Sequence, residues 1–159
     1  MTESGKTTLA KKLAVALRSK RAGVLVLDPL STQWDADYIT ADSDEFLARV
    51  WASQSCEVFI DEAGMAIGHY EKPMIELATK GRHWGHNCYF ITQRGAMVSP
   101  SLRTQCRNLF AFNQGRDDGV TLARDWGYDE LLEAHTLAQG EYFYARRFHG
   151  ILRGNVFDQ

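Results

Sequence analysis

The residues best suited to chemistry stand at the start of the chain, where Gly5, Lys6 and Thr7 are consecutive. They match the end of the pattern G-x-x-x-x-G-K-[ST], in which backbone N–H groups at a helix N-terminus face an anion. The lysine supplies charge to the β- and γ-phosphates, and the hydroxyl ligates Mg²⁺. The pattern therefore predicts an ATP site with Thr7 as a magnesium ligand, formed by Glu3, Ser4, Gly5, Lys6, Thr7 and Thr8.

The same four residues S-G-K-T could also be an ordinary helix start, so the prediction needs a second motif. The first glycine of the pattern would precede Met1, and so would the strand that normally leads into this loop. We therefore expect the sequence to begin inside the motif, without the first strand of the sheet.

Two adjacent acids supply the second motif. Asp61 and Glu62 follow the apolar run Val58–Ile60, at the end of a predicted strand. Asp61 is placed to hold the magnesium shell, and Glu62, in the loop just past the strand, to act as general base for an attacking water. Two solvated acids in a turn are the alternative. Together with the phosphate loop, the pair favours a hydrolysing ATPase over a nucleotide kinase or GTPase.

Polar residues further along could complete such a site. Gln93 ends a predicted strand, where it could sense the γ-phosphate or face solvent. Arg103 and Arg107 lie four residues apart on a predicted helix, hence on one face. One of them could act on the ATP of a neighbouring subunit, or the pair could lie on a surface that faces DNA.

Two further clusters invite alternative interpretations. The tail interleaves cations with aromatic residues from Tyr142 to Arg153, which suits a nucleic-acid backbone or an amphipathic hairpin with a core face. His83, His86 and Cys88 have a spacing that could bind zinc, but the sequence offers no second ligand cluster to close a site.

Helical and strand patterns alternate along the chain, which predicts an α/β fold with a mostly parallel sheet sandwiched by helices and a C-terminal β-hairpin. The predicted strands are Gly23–Asp28, Cys56–Asp61, Asn87–Gln93, Asn108–Asn113, Glu141–Phe148 and Gly150–Phe157. The predicted helices are Thr7–Lys20, Asp42–Trp51, Lys72–Trp84, Ser99–Cys106, Asp117–Trp126 and Asp129–His135.

Composition limits the remaining possibilities. The length of 159 residues suits one domain, which we assign to residues 1–159. A net charge of −2 excludes a polycation, so contact with nucleic acid needs a local basic patch. The three cysteines form no disulfide pattern, and no apolar run is long enough to span a bilayer. We expect no membrane partner and a reducing cytoplasm.

Together these motifs resemble the FtsK–HerA superfamily of P-loop ATPases. Within it, the sequence is most similar to the viral genome-packaging ATPases of the tectivirus-like, double-jelly-roll lineage. The resemblance covers roughly two-thirds of the chain and rests on the blocks Thr2–Ala10, Val26–Trp34, Val58–Gly64, Gly81–Arg94 and Val98–Phe112. Two departures are the absent first glycine and Gln33, which replaces the usual acid after the aspartate-proline pair.

The resemblance implies a RecA-like sheet and an ATP-driven motor that moves double-stranded DNA into a capsid. It further implies a homo-oligomeric ring, a pentamer or a hexamer, that can dock on a capsid vertex protein. Such a motor works in the host cytoplasm or on the virion. An arginine supplied in trans is matched first by Arg103 and second by Arg82. The alternatives are a filamentous-phage assembly or secretion ATPase and a non-motor nucleotide-binding or kinase module.

Overall fold

The computed structural model describes residues 4–62 and 71–158, and these divide into two compact units. One unit is Thr7–Thr92. The other contains residues 4–6 and 93–158. Each unit has its own sheet and its own apolar core. The assignment of residues 1–159 to a single domain stays a prediction.

The unit Thr7–Thr92 contains a parallel sheet with strand order β2-β1-β3-β4. Its strands are β1 Gly23–Leu27, β2 Tyr38–Thr40, β3 Cys56–Ile60 and β4 Asn87–Phe90. The helices that begin in or next to it are α1 Lys6–Ser19, α2 Ser43–Trp51 and α3 Glu71–Lys80, followed by a 3₁₀ turn at Gly81–Trp84.

The burial of the strands explains why β1 and β3 are central in this sheet. All of β3 and the last four residues of β1 are buried, as expected for central strands covered on both faces. Ala10 and Ala14 of α1 are small enough to lie close to the sheet, where they join Val24, Val26 and Phe59 in one core. This packing fixes the first turns of α1 above the carboxyl ends of the strands.

The other unit is built on an antiparallel sheet with strand order β5-β6-β7. Its strands are β5 Asn108–Phe112, β6 Glu141–Arg146 and β7 Gly150–Asn155. Its helices are α4 Pro100–Gln105, α5 Arg116–Trp126 and a 3₁₀ helix at Asp129–Thr136. Leu122 and Trp126 of α5 pack with Ala111, Phe143 and other apolar residues of the sheet.

The predicted fold class is confirmed: a mostly parallel sheet flanked by helices, with a C-terminal β-hairpin. Several details were wrong. The sequence pattern missed β2, which is only three residues long. The predicted helix Lys72–Trp84 ends at Lys80, because Gly81 starts a 3₁₀ turn that closes at the left-handed Gly85.

The third error concerns Arg103 and Arg107. The helix α4 ends at Gln105, and Cys106 is extended, so Arg107 lies beyond the helix and does not share a face with Arg103. Within the described ranges, no helix has the length and apolar character needed to cross a bilayer.

Candidate functional site

The phosphate-loop motif occupies the turn that leads into α1. Gly5 has a φ of +104°, a region that only glycine adopts without strain. A Cβ at this position would also lie 3.1 Å from Phe112 Cε1 and 3.1 Å from Val156 Cγ1. Glycine is therefore required at this position by the packing of its own unit, and the lack of a side chain would also let a phosphate approach the backbone.

The neighbours of Gly5 are held in place by short-range contacts. The Ser4 side chain is buried, and its carbonyl accepts a hydrogen bond from the Gly140 backbone N–H at 3.1 Å. Lys6 Nζ donates to Ser4 Oγ at 2.8 Å. Lys6 also begins α1, whose first turn carries no acidic side chain, so the partial positive charge of this helix end is available to an anion. Glu3 lies outside the described residues, and Thr8 is exposed in the first turn.

Thr7 and Asp61 are brought together at the carboxyl end of the parallel sheet. The Thr7 hydroxyl donates to Asp61 Oδ2 at 3.4 Å, although 54 positions separate the two residues. Asp61 directly follows β3 and is 6 % exposed. Burial raises the pKa of the Asp61 carboxyl above its usual range, and the nearby charges of Asp28 and Glu62 raise it further.

Glu62 lies in the turn after β3, as predicted. Its backbone N–H donates to Asp61 Oδ1 at 2.9 Å. Its φ of +54° is in the left-handed region, which is unusual for a glutamate. The turn keeps the Glu62 side chain partly exposed while Asp61 is buried, so the two acids of the motif occupy different environments.

Asp28 is a buried acid beside the site that the sequence analysis left out of the site residues. It follows β1 as Asp61 follows β3, and the preceding residues Leu27 and Ile60 are paired in the sheet. Asp28 is 1 % exposed and accepts four hydrogen bonds. The donors are Leu30 N, Thr32 N, Thr32 Oγ1 and Trp34 Nε1, at 2.5–3.0 Å.

These bonds give Asp28 a positioning role. Burial alone would raise the pKa of Asp28, but the bonds from Thr32, Trp34 and Leu30 outweigh burial and lower it. The carboxylate thereby fixes the loop after β1 next to Asp61. The sequence contained a signal for Asp28. Like Asp61, Asp28 is an aspartate that directly follows an apolar strand, and it lies in the block Val26–Trp34.

The arginines differ sharply in exposure. Arg103 is 8 % exposed; its Nη2 and Nε lie 2.7 and 2.8 Å from Asp125 Oδ2. Arg103 Nη1 donates to the carbonyl oxygens of Val98 and Gly95, at 2.5 and 3.3 Å. Arg82, in contrast, is exposed in the 3₁₀ turn after α3. A guanidinium that reaches a neighbouring subunit must be exposed, so the geometry favours Arg82 over Arg103 for that role.

Gln93 was predicted to end a strand, but it lies beyond the end of β4. The strand β4 ends at Phe90, which is paired with Ile60, the last residue of β3. Gln93 is therefore an exposed residue past the strand and not its last member.

His86 is buried between two backbone groups: Nδ1 accepts from Cys56 N at 3.1 Å, and Nε2 lies 3.0 Å from Val50 O. Its two nitrogens are thus occupied, and the described part of the chain gathers no zinc-like group of His, Cys and acidic residues.

The residues at the carboxyl end of the sheet fit a magnesium ion. A hydroxyl and a carboxylate are the hard oxygen ligands that Mg²⁺ prefers. The carboxylate of Asp61 is buried enough for its charged form to be disfavoured, and a cation at this position would reverse that penalty. The arrangement can therefore hold a metal at Thr7 and Asp61, with the partly exposed Glu62 as the next residue in the chain.

Comparison with solved structures identifies the fold. The chain is similar to the DNA-packaging ATPase B204 from Sulfolobus Turreted Icosahedral Virus, with a TM-score of 0.77 and 17 % sequence identity over 96 % of this chain and 92 % of that chain. It is also similar to the genome packaging NTPase B204 from Sulfolobus turreted icosahedral virus 2 in complex with AMPPCP. That TM-score is 0.76, with 17 % identity over 97 % of this chain and 93 % of that chain.

A more distant likeness is to VirB4 of Thermoanaerobacter pseudethanolicus, with a TM-score of 0.58 and 12 % identity over 81 % of this chain and 43 % of that chain. No protein-family model matches the sequence, and no curated protein is significantly similar to it. The predicted resemblance to viral packaging ATPases is thus confirmed at the level of the fold, which this chain shares with the B204 NTPases.

Proposed function

We propose that the chain is an ATP-hydrolysing motor that moves double-stranded DNA and packages a viral genome into a capsid. The observation that carries the proposal is the meeting of Thr7 with Asp61 at the end of β3, with Glu62 as the next residue. A hydroxyl from a phosphate-loop helix, a buried acid and an adjacent partly exposed acid are the parts that ATP hydrolysis needs at one place.

Each side chain has a distinct role in this proposal. Lys6 and the N-terminal N–H groups of α1 bind the β- and γ-phosphates, while Thr7 and Asp61 hold Mg²⁺. When bound, Mg²⁺ neutralises charge on the phosphate oxygens. Glu62 accepts a proton from water as the water oxygen attacks the γ-phosphorus and the bond to the β-phosphate oxygen breaks, which yields ADP and phosphate.

The packaging role is supported by the fold. The B204 proteins are named as genome-packaging NTPases, and they have been solved in complex with AMPPCP and ATP-gammaS. By this analogy the chain forms a homo-oligomeric ring, a pentamer or a hexamer, around duplex DNA in the host cytoplasm. The ring docks on a capsid vertex protein. We assign the arginine acting in trans to Arg82, because its side chain is exposed, and a γ-phosphate-sensing role to Gln93.

The chemistry is tested by two substitutions. Glu62→Gln should retain ATP binding and lose hydrolysis by a factor of about 10²–10⁴, because only the proton acceptor is removed. Lys6→Ala should lose both, because it removes the charge that holds the phosphates. ATP binding is measured by calorimetry and hydrolysis by phosphate release. Glu130→Gln and Lys20→Ala, at exposed positions, are the matched controls. Full hydrolysis by the Glu62→Gln protein would exclude Glu62 as the base.

The motor role is tested separately. Saturating duplex DNA should raise the ATPase rate of the assembled protein. An unchanged rate with assembly verified would contradict a motor and favour a non-motor nucleotide-binding module. Transfer of phosphate from ATP to a nucleoside monophosphate would instead identify a kinase.

A further inference from the structure

The turn between β6 and β7 exposes a large apolar side chain without any contribution to the core. Phe148 is 98 % exposed. Its φ of +65° is in the left-handed region, which bulky residues rarely adopt. Neither feature helps the chain to fold, so the exposed phenyl ring needs another explanation.

Basic residues lie in the same turn and at the same end of the sheet as this ring. Arg146 and His149 flank it in the hairpin and are exposed, and Arg107 is exposed as well. Arg107 is brought to the same end of the sheet because its carbonyl accepts a hydrogen bond from Arg147 N at 3.0 Å. In residues 4–62 and 71–158, no ion pair involves any of these three side chains. We call Arg107, Arg146, Phe148 and His149 the hairpin tip.

The arginines next to the hairpin tip, Arg147 and Arg153, have partners within their own unit. The guanidinium of Arg147 donates to the carbonyl oxygens of Cys106, Asp125 and Arg103 and lies 4.2 Å from the ring centre of Trp126. Arg153 forms an ion pair of 2.8 Å with Glu141. These two arginines hold their own unit together, whereas Arg107 and Arg146 are exposed and form no ion pair among residues 4–62 and 71–158.

The tip is also held rigidly. Tyr128 Oη donates to Arg146 O at 2.7 Å and accepts from Gly150 N at 2.9 Å, so one side chain ties both strands of the hairpin. Arg147, between Arg146 and Phe148, anchors the turn from inside. The exposed acids Asp129 and Glu130 follow Tyr128 in the chain but form no ion pair with the tip in the part of the chain that the structure describes.

Two exposed arginines at the same end of the sheet as an exposed aromatic ring suit nucleic acid. Guanidinium groups bind phosphates, and a phenyl ring contacts the sugars or unstacked bases between them. A two-stranded β-ribbon also fits the major groove of a duplex. A protein partner would have to supply both an apolar pocket and acidic groups. We propose that the hairpin tip binds the phosphate backbone of nucleic acid, with Phe148 against a sugar or base; this rests on the proposed function as a DNA motor.

The test measures binding of fluorescent duplex and single-stranded DNA by anisotropy at several salt concentrations. The double variant Arg107→Gln/Arg146→Gln should bind both DNAs more weakly, and its slope of log affinity against log salt should fall by about two. Phe148→Ala should keep the slope and lose roughly 5- to 150-fold in affinity for single strands if the ring stacks on a base. A loss confined to the duplex would place the ring in a groove.

Matched controls separate specific from general effects. Lys20→Gln/Arg21→Gln removes the same charge from exposed positions at the end of α1. Phe157→Ala removes a ring that is also exposed, just past the other end of β7. Both should bind DNA as the wild type does. If Arg107→Gln/Arg146→Gln binds like its charge control, or if the tip variants change only the oligomeric state, the proposal is wrong.

ATPase activity without DNA separates this inference from the proposed function. The tip variants should hydrolyse ATP at the wild-type basal rate and lose DNA stimulation. If no protein hydrolyses ATP but the tip variants still lose DNA binding with the expected change in salt slope, the motor function fails and the hairpin tip stands.

Discussion

Asp28 and Asp61 are neighbouring carboxylates with opposite electrostatic situations. Asp28 accepts four hydrogen bonds, which lower its pKa despite burial. Asp61 has donors from Thr7 and Glu62, but burial outweighs them and raises its pKa. The hydrogen bonds thus favour the charged form of Asp28, whereas burial disfavours the charged form of Asp61, a penalty that a bound cation would offset.

This difference predicts the behaviour of Asp61→Asn. The folded pKa of Asp61 lies above its unfolded value, so stability falls as pH rises from the unfolded pKa through the folded one. The full penalty applies once the pH exceeds both pKa values. Without magnesium, Asp61→Asn should therefore unfold at a higher temperature than the wild type. Magnesium with ATP at 100 times its Kd should add about 2.7 kcal/mol to the wild type and much less to the variant.

The measurement is thermal unfolding with and without magnesium and ATP, between pH 5 and 8. Thr104→Ala, at an exposed position, controls for a general effect of substitution. A lower unfolding temperature for metal-free Asp61→Asn would mean that the bonds from Thr7 and Glu62 outweigh burial. If Asp61 holds the metal, magnesium binding should weaken on acidification at a higher pH than for an ordinary aspartate, because the pKa of the metal-free Asp61 carboxyl is raised.

The sequence predicted the positions in the fold of those candidate site residues that depend on local order. Thr7 stands at a helix start, and Asp61 and Glu62 stand at a strand end, so their neighbours alone position them. The burial of Arg103 could not be predicted in this way. Its partner Asp125 is 22 residues distant, and only the packing of α4 beside α5 brings the two together.

The strands, too, could be predicted where the local sequence determines them and not where a distant contact does. The strands β1, β3 and β5 were predicted to within a residue, because continuous apolar runs mark buried strands. The strand β2 has no such run. It forms because Val24 N donates to Asp37 Oδ2 at 2.8 Å, which aligns Tyr38–Thr40 beside β1. Hydrogen bonds across 13 residues are not visible in a local pattern.

Arg103 is the residue that ties α4, α5 and the segment Gly95–Val98 to one another. Its ion pair with Asp125 and its bonds to two carbonyl oxygens are all inside one unit. Arg103→Met should therefore destabilise the protein by about 3 kcal/mol, because it leaves the partly buried Asp125 carboxylate with only Arg124, at 3.6 Å, as an ion-pair partner among the described residues. Chemical denaturation measures this free energy of unfolding.

Arg107→Met is the control for this variant. Its side chain is exposed, so its effect on the free energy of unfolding should stay within about 0.5 kcal/mol. If Arg103→Met unfolds like the wild type but loses ATPase activity in the assembled protein, the role in trans would return to Arg103.

At the scale of the molecule, the proposed ring places each ATP site next to a neighbouring subunit. A mixture of Glu62→Gln and Arg82→Gln proteins tests this directly. Each variant alone should be nearly inactive. In mixed rings, a Glu62→Gln subunit can supply its intact Arg82 to a neighbour that keeps Glu62, so activity should exceed the sum of the two separate proteins.

Phosphate release is measured across mixing ratios, with native mass spectrometry to verify that the subunits exchange. Glu62→Gln mixed with Lys6→Ala is the control. Each of these substitutions disables the ATP site of its own subunit, so a neighbouring subunit cannot restore activity. Fully mixed rings that show no recovery would exclude Arg82 as a group acting between subunits.

The left-handed backbone of Glu62 has a consequence for natural selection. At a φ of +54°, glycine or asparagine would relax the turn, and a glutamate makes it less stable. A chain selected for folding alone would drift toward those residues at position 62. The presence of a glutamate therefore implies that its carboxylate is maintained for a task other than folding. Variants isolated for heat resistance should repeatedly replace it and lose their enzymatic rate in the same step.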